Sequence, residues 1–241
     1  MGLLSASLSE RGPVRVLNAD ATVCDDKLGF YAVADGVGST LNSARASAFA
    51  VAEAHAQCQI LFRKARAPID LGELVREVGR RFQAEFADAT PTPSTTLTVA
   101  QVCEQSVHYV SVGDSPAFLL DRSGIRLLTK AHTVVDRHRV FADYGEIKSL
   151  SGSNLLFNSL GPNPPNPVVY PPGVTAGPSR LVLCTDGFME IFTQAALAQY
   201  SGQAASPDAL VRLAREAAAA QRPPDNYSVI VVDLPNPEID A

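Results

Sequence analysis

The chain has 241 residues, a formal net charge of −5, 46% hydrophobic and 19% charged residues. That balance suits one large domain with a sizeable core, expected over 1–241 with its core at about 11–234, and excludes a disordered chain. The acidic charge without long Lys/Arg blocks argues against a nucleic-acid partner, and no apolar run approaches the roughly 20 residues a membrane helix needs.

The start, Met1-Gly2-Leu3-Leu4-Ser5-Ala6, lacks the basic flank and long apolar region of a secretory signal. Cys24, Cys58, Cys103 and Cys184 lie far apart with no C-x-x-C pair. Reduced thiols and a cytoplasmic location are the expectation.

Residues 29–35 read as a buried strand that ends on Asp35-Gly36. A helix follows, with Ala46, Ala50, Ala54, Cys58 and Leu61 along one stripe. Asp70 and Glu73 have the spacing of a capping box. They open a second helix with Leu71, Leu74, Val75, Val78, Phe82 and Phe86 on one face, closed by Pro91 and Pro93. Short β-prone runs follow at 95–103, 106–112 and 116–121. Asp121-Arg122-Ser123-Gly124 is a hairpin signal before Ile125–Leu128.

Periodicity is weak over 130–160. Seven prolines between Gly161 and Pro178 predict a long loop, either functional or a spacer. A strand is predicted at 180–185, helices near 188–199 and 207–221, and a last strand at about 227–234. Ser206-Pro207-Asp208 opens the second of those helices. Helices and hairpins come in groups rather than alternating, which predicts an α+β fold with antiparallel sheets.

Four of these strands begin or end beside an aspartate: Asp35, Asp114, Asp186 and Asp225. A carboxylate at a strand end is short, rigidly carried and acceptor-only. Several converging from one edge of the sheets would suit hard divalent cations. A single Asp-Gly is a common turn dipeptide, so the signal lies in order and flanks. Arg15-x-x-Asn18-x-Asp20 comes first, then Val33-Ala34-Asp35-Gly36-Val37-Gly38. Ser94-Thr95-Thr96, Val112-Gly113-Asp114-Ser115, Leu128-Thr129-Lys130-Ala131-His132-Thr133, Leu183-Cys184-Thr185-Asp186-Gly187 and Asp225-Asn226-Tyr227-Ser228-Val229 follow.

This ordered set resembles the metal-dependent protein phosphatases, the PPM or type 2C serine/threonine family, in its bacterial form. The resemblance runs from about residue 11 to 234. It implies a four-layer α-β-β-α sandwich, two antiparallel sheets flanked by helices. It implies hydrolysis of phosphoserine and phosphothreonine in proteins modified by serine/threonine kinases, by a monomer at a centre of two Mn²⁺ or Mg²⁺ ions with a weak third. By the same resemblance Asp35 bridges two ions and Gly36 lends its carbonyl. Asp186 and Asp225 complete the first ion, Asp20 supports water at the metals, and Asp114 lies near the third ion. Arg15 holds the substrate phosphate. The chemistry agrees: oxygen donors favour Mg²⁺ or Mn²⁺, and a guanidinium fork matches phosphate.

The chain also departs from the family pattern. Ala19 stands where the family has a glutamate that ligates the second ion. Val37 replaces a histidine found in some members, Gly38-Ser39-Thr40 replaces Gly-Gly-His, Pro116 replaces an arginine, and Ala131 an aspartate. Ala19 keeps a second reading open: a pseudophosphatase, a regulatory binding module with an incomplete site. His55, His108 and His132 are expected to be structural, and Asp136-Arg137-His138-Arg139 a charged loop or a phosphoprotein contact.

Overall fold

The computed structural model describes residues 3–65, 68–104, 106–133, 155–174 and 177–234. The segment 136–139 lies outside them. In chain order the elements are β1 (Leu4–Glu10), β2 (Asp20–Asp25), β3 (Phe30–Asp35), α1 (Leu41–Ala65) and α2 (Leu71–Glu85). Then come β4 (Leu97–Cys103), β5 (Ser106–Val112), β6 (Ala117–Asp121), β7 (Gly124–Leu127), β8 (Val168–Val169), β9 (Gly173–Val174) and β10 (Ser179–Cys184). Three helices, α3 (Phe188–Ile191), α4 (Gln194–Gln203) and α5 (Pro207–Gln221), precede β11 (Tyr227–Leu234).

The strands form two antiparallel sheets. One has the order β1-β11-β10-β6-β7, the other β2-β3-β4-β5-β8, with β9 also pairing β5. Side chains alternate across each strand, and here both faces of the central strands are apolar. Leu181, Leu183, Ile230 and Val232 pack with Tyr31, Val33 and Ala100 between the sheets. Val182, Cys184, Val229 and Val231 face the other way, onto Phe188, Leu210 and Ala214 of α3 and α5. Phe30, Ala32, Ala34 and Val99 meet Ala46, Ala50, Ala54, Leu74 and Phe82 of α1 and α2. The result is the expected α-β-β-α sandwich. Each fully buried aliphatic contributes about 1.5–3 kcal/mol.

Small residues let α1 lie close on its sheet, since Ala46, Ala50, Ala54 and Cys58 are all fully buried. The Asp70 carboxylate caps α2 by accepting from Glu73 N at 2.9 Å. Glu73 does not complete the capping box: its carboxylate pairs with Arg76 at 2.8 Å and Arg80 at 3.3 Å. Arginines one and two turns on compete for it. Below these exposed pairs, Phe82 and Phe86 form an aromatic contact at 4.7 Å.

Two further sequence expectations are corrected. The predicted helix over 188–199 is broken, because Thr193 ends α3 and caps α4 by accepting from Ala196 N at 3.2 Å. Phe192, in extended backbone between the two, is buried. The proline-rich stretch is a strap rather than a plain loop. Its β8 and β9 lie on the edge of β5, where missing N–H groups cost little. A Cβ on Gly79 would sit 2.4 Å from Pro165 Cγ, so α2 and the strap touch at a glycine. Gln83 Nε2 also donates to Pro162 O at 3.1 Å.

Among the described residues, no helix is long and apolar enough to cross a membrane.

Candidate metal centre

Antiparallel pairing with matched register brings the aspartates to one edge of both sheets. Asp20 opens β2 and Asp35 ends β3, and the two are direct cross-strand partners. Asp114 lies two residues beyond β5 on that edge of the same sheet. In the other sheet, Asp186 follows the end of β10 and Asp225 precedes the start of β11, strands paired antiparallel. All five predicted carboxylates therefore gather between the sheet ends.

Their electrostatics agree. Asp35 is pushed well above the ordinary carboxyl range, first by burial, then by the charges of Asp20 and Asp186; it stands within hydrogen-bonding reach of Asp186. Asp114 adds to that field. Burial, then Asp186 and Asp225, push Asp20 up to about 7, against a hydrogen bond from Thr185 that favours its charged form. Thr185 Oγ1 donates to Asp20 Oδ2 at 2.8 Å, a bond between the sheets. The other oxygen, Oδ1, is buried with no hydrogen-bond partner.

The polypeptide around the carboxylates is held rigidly. Thr96 Oγ1 accepts from Asp35 N, and Thr96 N and Thr95 Oγ1 both donate to Asp35 O, all at 2.9 Å. That is the work of the Ser94-Thr95-Thr96 motif. Gly36 N donates to Ala19 O at 2.9 Å. A Cβ on Gly36 would fall 2.1 Å from Ser43 O, so only glycine fits. Gly113, at φ 104°, makes the turn into Asp114, and a Cβ there would strike Thr96 at 2.6 Å.

His132 holds that turn from outside. Its Nδ1 accepts from Gly113 N and from Asn158 Nδ2, each at 3.0 Å. Burial lowers its pKa to about 4, so the ring is neutral at physiological pH. The structural reading of His132 stands. His55 pairs with Asp25 at 2.8 Å and stacks on Phe30, away from the carboxylates. His108 meets Ser106 at 3.2 Å.

Arg15 lies on the loop between β1 and β2. Its Nη2 donates to Asp225 Oδ2 at 2.6 Å and its Nη1 to Ser39 Oγ. Asp225, Asp35 and Asp186 all stabilise its charge. The residue that holds this loop is Asn226, whose role the sequence motifs do not indicate. Its Nδ2 donates to Arg11 O and Leu17 O, each at 2.8 Å, and its Oδ1 accepts from Ala19 N at 2.9 Å. Adjacency to Asp225 was the available signal. Gly12 lets the loop close, since a Cβ there would lie 2.6 Å from Asp225 O.

The donor set is all oxygen and strongly anionic, which suits hard divalent cations. Among the described residues, no three acidic, histidine or cysteine side chains close around a single point as they stand. Packed like charges hold one another apart, and the unpartnered Asp20 oxygen marks a place where a positive ligand or an ordered water fits. A cavity of about 620 Å³ lies at the opposite ends of the same strands, lined by Leu120, Ser179 and Leu234. It has no part in the carboxylate cluster.

The protein phosphatase 2C family model matches residues 16–222. The chain belongs to the protein phosphatase 2C family. Membership makes it a protein serine/threonine phosphatase, of a family that uses Mn²⁺ or Mg²⁺. The serine/threonine phosphatase PstP/Ppp of Mycobacterium tuberculosis has a similar structure, with a TM-score of 0.83 and 23% identity over 97% of this chain and 99% of that one. The PPM Ser-Thr phosphatase MsPP of Mycobacterium smegmatis, in complex with cacodylate, gives 0.80 and 28% over the same shares, 97% and 99%. A PstP catalytic domain in complex with two manganese ions gives 0.79 and 22% over 96% and 98%. Among curated proteins, no sequence matched this chain.

Proposed function

We propose that this chain is a single-domain, Mn²⁺- or Mg²⁺-dependent phosphatase. It acts as a cytoplasmic monomer on phosphoserine and phosphothreonine in proteins that kinases have modified. Neither nucleic acid nor membrane enters the reaction. The observation that carries this reading is the convergence of Asp20, Asp35, Asp114, Asp186 and Asp225 beside Arg15.

Asp35, Asp186, Asp225 and the Gly36 carbonyl are the groups to hold two cations, with Asp20 and Asp114 alongside. Such ions, when bound, activate a water and neutralise charge on the phosphoryl oxygens. The chain's own residues supply orientation. Arg15 carries a two-pronged donor for the phosphate, and its contact with Asp225 ties that donor to the cluster. Ser39 steadies the other guanidinium nitrogen. Asp20 offers Oδ1 as acceptor for the attacking water while Thr185 fixes Oδ2. Neutral His132 is buried and holds the Gly113 turn through Nδ1, a positioning role.

Ala19 favours a second reading, the pseudophosphatase, because the family's glutamate is missing. Ala19 is 1% exposed and directly precedes Asp20, so a glutamate there would be carried next to the cluster. Titrating Mn²⁺ against hydrolysis of a phosphothreonine peptide, in wild type and Ala19→Glu, separates the readings. A phosphatase with a weakened second site turns over at high Mn²⁺ and needs less in Ala19→Glu. A pseudophosphatase releases no phosphate in either.

A further inference from the structure

Beside the metal centre lies a pocket of about 370 Å³ that the proposed reaction does not use. Glu10, Arg11, Gly12, Ala218, Arg222 and Tyr227 help line it. Its charge is unlike that of the chain as a whole. Glu10 is tied to Arg215 at 3.2 Å, which leaves two exposed arginines, Arg11 and Arg222, lining the pocket of an acidic protein. Neither makes a side-chain hydrogen bond or ion pair among the described residues. Tyr227 is 7% exposed, and its hydroxyl has no hydrogen-bond partner there either.

Arg222 is also in an uncommon place. It follows α5 at φ 52° and ψ 63°, the left-handed conformation that ends helices, with its N–H on Ala218 O at 2.9 Å. Glycine or asparagine is the usual residue there. An arginine adopts that backbone at a conformational cost, and it lines the pocket from the helix end.

The distance to the chemistry is short. Arg11 precedes Arg15 by four residues, and Arg222 precedes Asp225 by three. At 3.3–3.6 Å per extended residue, the Arg11 Cα lies within about 14 Å of the Cα of Arg15, which would hold the phosphate, and the Arg222 Cα within about 11 Å of that of Asp225 in the cluster beside it. An extended substrate covers that span in about four residues.

We propose that this pocket is a second anion subsite. It takes a carboxylate or a second phosphate on the substrate, within about four residues of the phosphoserine or phosphothreonine being hydrolysed. The inference rests on the phosphatase reading for the identity of the substrate. Arg11 and Arg222 supply the charge and the Tyr227 hydroxyl a hydrogen bond. Such partly exposed pairs are individually weak and screened by salt, so the preference is about 5- to 30-fold at low ionic strength and shrinks as salt is added.

The test uses phosphothreonine peptides identical except for Glu or Gln at three and four residues from the phosphate, with a third carrying phosphoserine there. Wild type is expected to favour the Glu and doubly phosphorylated peptides in kcat/KM, through KM. Phosphoserine alone being favoured would narrow the ligand to a second phosphate. Arg222→Gly removes the guanidinium while glycine keeps the left-handed cap, so folding is retained. Combined with Arg11→Gln it should reduce the preference to within 2-fold, and Arg222→Lys should keep most of it. Fluorescence anisotropy with non-hydrolysable phosphonate versions of the peptides reads the same preference without turnover. Absence of p-nitrophenyl phosphate hydrolysis would defeat the phosphatase reading alone. Equal binding of Glu, Gln and doubly phosphorylated peptides by wild type, or a preference that survives in the double variant, would overturn the subsite.

Discussion

Asp20 and Asp35 face each other as registered partners across the β2–β3 ladder. Like charges in that position oppose folding, and here burial and Asp186 raise the cost further. The cluster therefore trades stability for cation affinity. Asp35→Asn should raise the melting temperature of chelator-treated protein by about 3–6 °C, at roughly 2–4 °C per kcal/mol for a chain of this size. The same change should weaken Mn²⁺ binding by on the order of 100-fold or more. Calorimetry on both forms checks it; a lower melting temperature with unchanged Mn²⁺ affinity would show that Asp35 is not in the cation site.

The raised Asp20 carboxyl predicts a direction for stability against pH. Its folded value of about 7 lies above the ordinary carboxyl value near 3.9. The folded state thus holds the proton more tightly. The contribution is complete below about pH 4 and is lost as pH rises through about 7. Chelator-treated wild type should lose denaturation midpoint between pH 5 and pH 8, and Asp20→Asn should flatten that limb. A midpoint that rises over this range in wild type but not in Asp20→Asn would reverse the assignment.

His132 works in the opposite sense. Its folded pKa of about 4 lies below the ordinary histidine value near 6.5. The unfolded chain takes the proton first, so stability falls as pH drops from about 6.5 to 4. The shift corresponds to on the order of 3 kcal/mol. His132→Asn keeps an acceptor for Gly113 N and removes the titrating ring, so its acid limb should be shallower than wild type. Equal acid limbs would mean that His132 is charged in the folded protein.

Arg15 is paired with Asp225 at 2.6 Å, with side chains 34% and 32% exposed. Arg15→Ala should cut kcat/KM for a phosphopeptide about 10- to 100-fold, the worth of one charge-assisted hydrogen bond. It should also free Asp225. Because a partly exposed pair is worth about 0–1 kcal/mol, Mn²⁺ affinity should hold or tighten by up to roughly 5-fold. Inhibition by inorganic phosphate is the deciding measurement, and equal inhibition of variant and wild type would remove Arg15 from the phosphate site.

Much of this was legible in the sequence, because strands with apolar residues on both faces and aspartates at their ends leave a strong one-dimensional pattern. β3, β10 and β11 fall where the runs ending in Asp35 and Asp186, and starting after Asp225, put them. What was not legible depended on contacts between distant residues. Thr193 looks unremarkable in sequence, yet its hydroxyl caps α4 and breaks a predicted helix. Pro165 reads as loop until Gly79 is seen beneath it. Asn226 gains its role only when residues 11–19 are folded against it. Arg222 reveals itself through a backbone angle rather than a motif.

The most direct test is release of phosphate from a phosphothreonine peptide by wild type and Asp35→Asn, with Mn²⁺ titrated from zero to several millimolar. The account predicts no release without metal, release by wild type that rises with Mn²⁺, and none above background from Asp35→Asn at any concentration. Wild-type turnover that survives chelation, or no turnover at any Mn²⁺, would contradict it.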